Sequence, residues 1–362
     1  MQAFLACVAQ VFVFAGLLVT YRLAQGPSRA YPFEPSAVVT LAEVVKLVAA
    51  LSFVSLRGKL SRDVPLRNVG IIGLAFSYSV NNLLQFETNR LADPGTCYLM
   101  KSGMTLFVGL LQWSLTGAHF TTIQWLAMII QALGMVVMQW DECQVCPDYA
   151  LSTYALMLLA SVLTGVNTVI NARQIQRGDS GDPILQSVGL YFWGAIFNFI
   201  AYLSSGKELG SFFKGFTSWE VYLILFFHMM LGLVMPAVYK YGGAVVKMMA
   251  GDVVSVVLVA VSVRFFGVPL RLRCCTGAAV VLLSIAIANQ ANYSGSTNAS
   301  SITALASVAS FAVGVLSKTL HDDAQVGVRL LGIAGYLVIG GLVGRMTAGR
   351  GSPDTHQREK TA

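Results

Sequence analysis

Charge is what this sequence has least of. Only 11% of its 362 residues are Asp, Glu, Lys or Arg, against about 25% in a soluble domain. That scarcity excludes a soluble two-domain enzyme, which the length alone allows, because 24 basic and 17 acidic side chains do not coat ten or more apolar runs in water. Histidine is almost as rare: His119, His228, His321 and His356 have no partner at metal-ligand spacing, so a metal centre is not expected. His228, alone in an apolar run, reads as hydrogen-bonded structure. Of six cysteines only Cys143 and Cys146 form a CxxC, and zinc needs two more ligands, so a lumenal disulfide or two free thiols is the reading. Cys274 and Cys275 are adjacent and suit palmitoylation if they face the cytosol. No phosphate-binding loop or dinucleotide fingerprint occurs, and no cofactor is expected. The net charge of +7 comes without any dense basic run, so a nucleic-acid partner is not expected either.

What the chain has is apolar length. Hydrophobic residues make up 56% of it and the mean hydropathy is +0.67. A membrane-crossing helix needs about 20 mostly apolar residues, and ten stretches qualify: 3–23, 35–56, 68–88, 95–116, 121–140, 150–172, 184–204, 219–239, 244–266 and 273–292. Weaker runs at 302–320 and 326–343 precede a polar tail. The first cation, Arg22, follows the first apolar run, so that run reads as a retained helix rather than a cleaved leader. The acidic loop 142–149 divides the chain into five segments on each side, 1–141 and 150–293, leaving 294–362 as an extension. Halves with an odd number of spans sit in opposite orientations, the plan of many secondary transporters. The expected fold is therefore an all-α polytopic membrane protein of ten helices in two inverted five-helix repeats. Arg57, Lys59, Arg62, Arg67, Arg173 and Arg177 favour a cytosolic N-terminus, whereas Arg264, Arg271 and Arg273 oppose it. With that orientation the sequons at Asn292 and Asn298 face the cytosol, and a glycan on either contradicts it.

An ionisable group in hydrocarbon costs roughly 2.5–3.5 kcal/mol on insertion scales, so each marks a pair, a pathway or a cavity. Glu43 and Lys46 stand at i, i+3 in the second segment, close enough to pair. Glu87 lies near the end of the third, Lys101 in the fourth, Lys240 at the edge of the eighth, and Lys247 and Asp252 in the ninth. Lys101 and Lys247 have no obvious partner except Asp252. Several lysines around one cavity suit an anionic solute, phosphate above all. Tyr98, Tyr191, Asn81 and Asn82 are of the right kind to stack on and hydrogen-bond a base or sugar. The adjacent amides stand out because lipid leaves them without partners. The 34 glycines read as close helix packing.

These residues also carry a resemblance. Residues 31–46, YPFEPSAVVTLAEVVK, with their Glu-x-x-Lys, resemble the second helix of the nucleotide-sugar transporters, in the branch carrying CMP-sialic acid, UDP-galactose and UDP-N-acetylglucosamine. NNLLQFETNRLADPGT (81–96) resembles the third-helix pattern and QSVGLYFWGAIFNFI (186–200) the seventh helix. The most specific match is 212–247, FFKGFTSWEVYLILFFHMMLGLVMPAVYKYGGAVVK, with its Gly-Phe turn and two lysines seven residues apart. The resemblance covers 1–293 and implies the drug and metabolite transporter fold. It implies that Lys46 and Lys247 engage a nucleotide phosphate, that Asn82 binds the nucleotide and that Tyr191 lines the cavity. Lys101 stands three residues before the family's fourth-helix lysine, whose place Met104 takes, on nearly the same face. The sixth helix, GVNTVINARQIQ, lacks the family's Tyr-Phe-Glu-Lys, and Asp252 stands where a small residue is usual.

The expected function is exchange of a cytosolic pyrimidine nucleotide sugar, UDP- or CMP-linked, for a lumenal nucleoside monophosphate by alternating access. The expected place is the Golgi membrane, with the endoplasmic reticulum as the alternative. Homo-oligomerisation or association with a glycosyltransferase stays open. Competing readings are a carrier of another organic anion or metabolite on this fold, a non-transporting adaptor, and a membrane enzyme acting on polyprenyl sugars. The last lacks a large acidic catalytic loop.

Overall fold

The computed structural model describes residues 2–25, 31–58, 66–92, 97, 100–139, 149–177, 182–266 and 272–294. Among them are ten α-helices and no strand: α1 Gln2–Ala24, α2 Pro35–Leu56, α3 Val69–Leu91, α4 Met104–Thr116, α5 Thr122–Gln139, α6 Leu151–Arg177, α7 Pro183–Ser204, α8 Trp219–Tyr241, α9 Gly243–Phe266 and α10 Leu272–Ser294. Six helical stretches are long and apolar enough to cross a membrane: α1, α2, α6, α7, α8 and Gly243–Val261 of α9. Shorter apolar stretches lie in α4, α5 and α10. Tyr98, the CxxC pair, Asn298 and the weaker runs at 302–320 and 326–343 lie outside the described residues.

Local chemistry sets the helix ends. Pro35 and Pro183 stand in the first turns of α2 and α7, where a missing N–H is harmless. Asn68 and Asp182 cap α3 and α7, accepting from the Gly70 and Ile184 amides at 2.9 and 3.1 Å. Thr121 and Gln124 form a reciprocal capping box before α5. Gly117, at φ 68°, ends α4 in the left-handed conformation that a side chain disfavours. Two boundaries differ from the sequence expectation. α6 runs on to Arg177, past residue 172, and regular α4 starts only at Met104, because Ser102 and Gly103 form a turn. Glycine's low helix propensity accounts for that break.

Small residues sit at the close helix contacts, and several large apolar side chains face outward. Phe4 and Phe12 are each 70% exposed, which water would not tolerate repeatedly along one helix but lipid does. α2 packs on α7 and α8, α1 on α8 and α9, α3 on α6 and α7, and α4 on α6 and α9. α5 and α10 make the closest pair. A methyl group on Gly277 of α10 would lie 2.5 Å from the Met138 backbone nitrogen of α5, so only glycine lets these two backbones approach. A second close approach ties the loops. Gly215, at φ 83°, sits so near the Pro32 carbonyl that a side chain there has no room.

Candidate functional site

Most of the helix surface facing inward is apolar, yet a band of polar side chains from several helices lies within it. It starts on α2, where Lys46 Nζ meets Glu43 Oε1 at 2.5 Å, both side chains largely buried. The i, i+3 pair expected from sequence is therefore formed. Two glycines on neighbouring helices make room for it. A methyl on Gly232 of α8 would lie 2.6 Å from Lys46 Cγ, and one on Gly194 of α7 would lie 3.3 Å from Glu43 Oε2. Lys46 also lies 5.2 Å from the ring centre of Tyr191, a cation–π separation.

Tyr191 is anchored by a defect in the next helix. Pro236 stands inside α8 and has no N–H, so the carbonyl four residues earlier, on Gly232, loses its helical partner. The Tyr191 hydroxyl donates to that carbonyl at 2.7 Å. A proline, a glycine and a tyrosine on two helices thus settle one backbone group and place an aromatic ring beside Lys46.

From there the band passes to α3 and α6. The Tyr78 hydroxyl lies 3.4 Å from that of Tyr239 and accepts from Asn171 Nδ2 at 3.2 Å. Ser77 donates to Asn167 Oδ1 at 2.6 Å, and Thr164 donates to Asn81 Oδ1 at 3.2 Å. Residues 77, 78, 81 and 85 share one face of α3, and 164, 167, 168 and 171 share one face of α6, by the 3.6-residue period. Asn82 is half-buried beside this stripe. Sequence reading singled out Asn81 and Asn82 but passed over Ser77, Tyr78, Gln85, Thr164, Asn167 and Thr168. The polar recurrence at three- and four-residue steps was the signal.

The band ends at α9. Lys247 Nζ donates to Thr168 Oγ1 at 3.3 Å, and Gln10 of α1, 1% exposed, donates to the Lys247 carbonyl at 3.1 Å. Lys101 donates to Gln85 Oε1 of α3 at 2.7 Å. Asp252 receives Thr105 Oγ1 of α4 at 2.7 Å and Gln131 Nε2 of α5 at 2.6 Å, both on Oδ2. Lys247 is near enough to both Lys101 and Asp252 for their charges to interact. The structure thus gives Asp252, Lys247 and Lys101 partners on other helices, where sequence offered only Asp252 for the two lysines. Lys240 Nζ lies 5.9 Å from the ring centre of Tyr241. His228 is hydrogen-bonded to the Tyr21 hydroxyl at 3.0 Å, the structural role expected of it. Arg173, in the altered sixth helix, donates to the Leu115 carbonyl at 3.0 Å.

An all-helical apolar bundle with a cationic, amide-rich band through its interior has the build of a membrane carrier. The family model of the nucleotide-sugar transporters matches residues 3–289, and the chain belongs to that family. Among curated proteins it is similar to CMP-sialic acid transporter 2 of Oryza sativa subsp. indica, 27% identical over 218 residues, 58% of this chain and 60% of that one. CMP-sialic acid transporter 4 of Oryza sativa subsp. japonica is 24% identical over 280 residues, 70% of this chain and 68% of that one. CMP-sialic acid transporter 3 of Arabidopsis thaliana is 23% identical over 280 residues, again 70% and 68%. The chain thus spans 60% of the length of the first of these relatives. One solved crystal structure superposes with a TM-score of 0.59 at 15% identity, covering 78% of this chain and 95% of that chain, a likeness of fold.

Proposed function

We propose that the chain exchanges a cytosolic pyrimidine nucleotide sugar, UDP- or CMP-linked, for a lumenal nucleoside monophosphate, in the membrane of the Golgi or, failing that, the endoplasmic reticulum. The observation that carries this reading is the band from Lys46 through Tyr191, Tyr78 and Asn171 to Lys247 inside an otherwise apolar bundle. Its ends offer ammonium groups for phosphate, and its middle offers amides, hydroxyls and rings for base and sugar. Asn82, Lys101, Lys240 and Tyr98 complete the set of side chains we assign to the substrate, with Glu43 and Asp252 in supporting roles.

Alternating access by two inverted halves is part of the same proposal. Helix pairing supports it. Under a shift of five helix numbers the pair α1 with α8 becomes α6 with α3, α2 with α8 becomes α7 with α3, and α1 with α9 becomes α6 with α4. Each of those six pairs is in contact, and the pairs α2–α7, α4–α9 and α5–α10 map onto themselves. A two-fold relation between 1–141 and 150–293 generates this pattern naturally. Exchange follows if the empty carrier reorients slowly and a bound nucleotide speeds it, since a ligand shifts such a balance only by differential affinity.

The test is counterflow. Full-length protein in liposomes preloaded with uridine or cytidine monophosphate is expected to take up at least one radiolabelled UDP- or CMP-linked sugar against empty-liposome controls. Absence of uptake with every sugar tried sinks the proposal and favours another solute or an adaptor role.

A further inference from the structure

Asp252, 8% exposed on α9, forms no ion pair among the described residues. Two neutral groups hold it instead, both on Oδ2: Thr105 Oγ1 of α4 at 2.7 Å and Gln131 Nε2 of α5 at 2.6 Å. Those two residues are buried, and Met104, Met128 and Met249 on the same three helices belong to one buried apolar core. Two acceptors in this cluster are left over. Asp252 Oδ1 takes no hydrogen bond from a described residue, and Gln131 Oε1 is buried without a partner. A buried carboxylate beside a second bare acceptor lacks a positive charge and a donor at once. One proton supplies both. A carboxylic acid and a primary amide pair through two bonds, the amide N–H to one carboxyl oxygen and the acid O–H to the amide oxygen. The first is formed here, and the second is what a proton on Oδ1 adds. A sodium ion suits the cluster less well, because Thr105 and Gln131 would have to turn from donating hydrogen bonds to offering oxygen.

We infer that Asp252, with Thr105 and Gln131, is a proton-binding site, and that the carrier reorients with the proton in place. This rests on the carrier reading above. Under the two-repeat arrangement Thr105 and Gln131 belong to the first repeat and Asp252 to the second, so rocking of the halves parts the donors from the acid. An ionised carboxylate parted from them is left uncompensated in hydrocarbon, whereas the neutral acid parts at smaller cost. The proton comes from water on the side to which the carrier is open, and is not consumed. The helices that hold the carboxyl, α4 and α5, carry no titratable side chain. From α1, α6, α8 and α10 no titratable group among the described residues acts on it, and on α9 itself Lys247 does.

Self-exchange decides the matter. Proteoliposomes of full-length protein hold the accepted nucleotide sugar unlabelled inside and labelled outside, with equal pH on both sides, from about pH 5.5 to about pH 8.5. Esterified phosphates do not titrate there, unlike a monophosphate, whose second pKa is about 6. Wild-type exchange is expected to fall by on the order of tenfold toward the alkaline end. Asp252→Asn, a permanently neutral stand-in for the acid, is expected to vary less than about twofold across the range. Thr105→Val removes a donor that favours the ionised form, so its fall is expected at higher pH than that of the wild type, a shift that mere loosening of the bundle does not produce. A flat wild-type profile overturns the inference, and so does an Asp252→Asn profile like the wild type's. Should Asp252→Asn not be recovered, an unshifted Thr105→Val profile overturns it as well. Exchange that depends on sodium at fixed pH, and loses that dependence in Asp252→Asn, gives the cluster to the metal ion and overturns the proton. No exchange of any nucleotide sugar by the wild type at any pH refutes the carrier function and takes the inference with it.

Discussion

Lys46 and Lys247 sit at the two ends of one polar band, yet they are held by different means. Lys46 is closed onto Glu43 by helical spacing on a single helix, with Gly232 making room for the lysine and Gly194 for the glutamate. Lys247 has no carboxylate contact among the described residues: its Nζ reaches the Thr168 hydroxyl and, at 3.7 Å, the Met248 sulfur, while Asp252 on the same helix is held by Thr105 and Gln131. A paired buried lysine must break a contact before it can serve a ligand, whereas a loosely held one is ready. Under the proposed function, that difference makes Lys247 the main anion-binding group and Lys46 a group released on demand.

The largest effect expected is therefore at Lys247. Lys247→Ala should lower nucleotide-sugar uptake at least about 100-fold, the scale seen when one partner of a buried charged contact is removed, with unchanged protein yield and thermal unfolding in detergent. Normal uptake by that variant breaks the comparison. Next comes the pair on α2. Glu43→Ala leaves a buried ammonium uncompensated and should destabilise the protein by about 3–5 kcal/mol, visible as a lower unfolding temperature. The double change Glu43→Gln with Lys46→Gln should regain most of that stability while uptake stays impaired. If Glu43→Ala is as stable as wild type, Lys46 is not held by the pair.

Tyr191→Phe should cost about 1–3 kcal/mol, because it orphans the Gly232 carbonyl. In a Pro236→Ala background, where a backbone N–H returns, the same change should cost clearly less. Equal costs in both backgrounds would show that the hydroxyl does not serve that carbonyl. The smallest effect is at Tyr78. Tyr78→Phe removes a hydrogen bond from Asn171 and should cost about 1 kcal/mol, with a change of severalfold in uptake. A loss as deep as that of Lys247→Ala would place the anion in the middle of the band rather than at its end.

Much of this was legible before any coordinates. Helix positions follow from runs of apolar residues, and the Glu43–Lys46 pair follows from i, i+3 spacing on one helix. Lys46, Lys247, Asn82 and Tyr191 follow from resemblance to the family. What the chain order hides is contact between helices. Thr105, Gln131 and Asp252 come from three different segments, as do Gln85 and Lys101 from two. The polar faces of α3 and α6 were visible in principle, since 77, 78, 81 and 85 and 164, 167, 168 and 171 recur at helical steps. Within segments this apolar, scattered hydroxyls and amides barely lower the mean hydropathy. Pro236 likewise announced a free carbonyl at Gly232, but only folding shows that Tyr191 fills it.

The hook from Gln10 to the Lys247 carbonyl joins residues 237 positions apart. In a chain threaded into the membrane from its amino end, α1 enters with its buried amide unanswered and waits until α9 has been made. Until then that amide is a polar group on an otherwise apolar helix. The contact that answers it forms only once the ninth helix is in place.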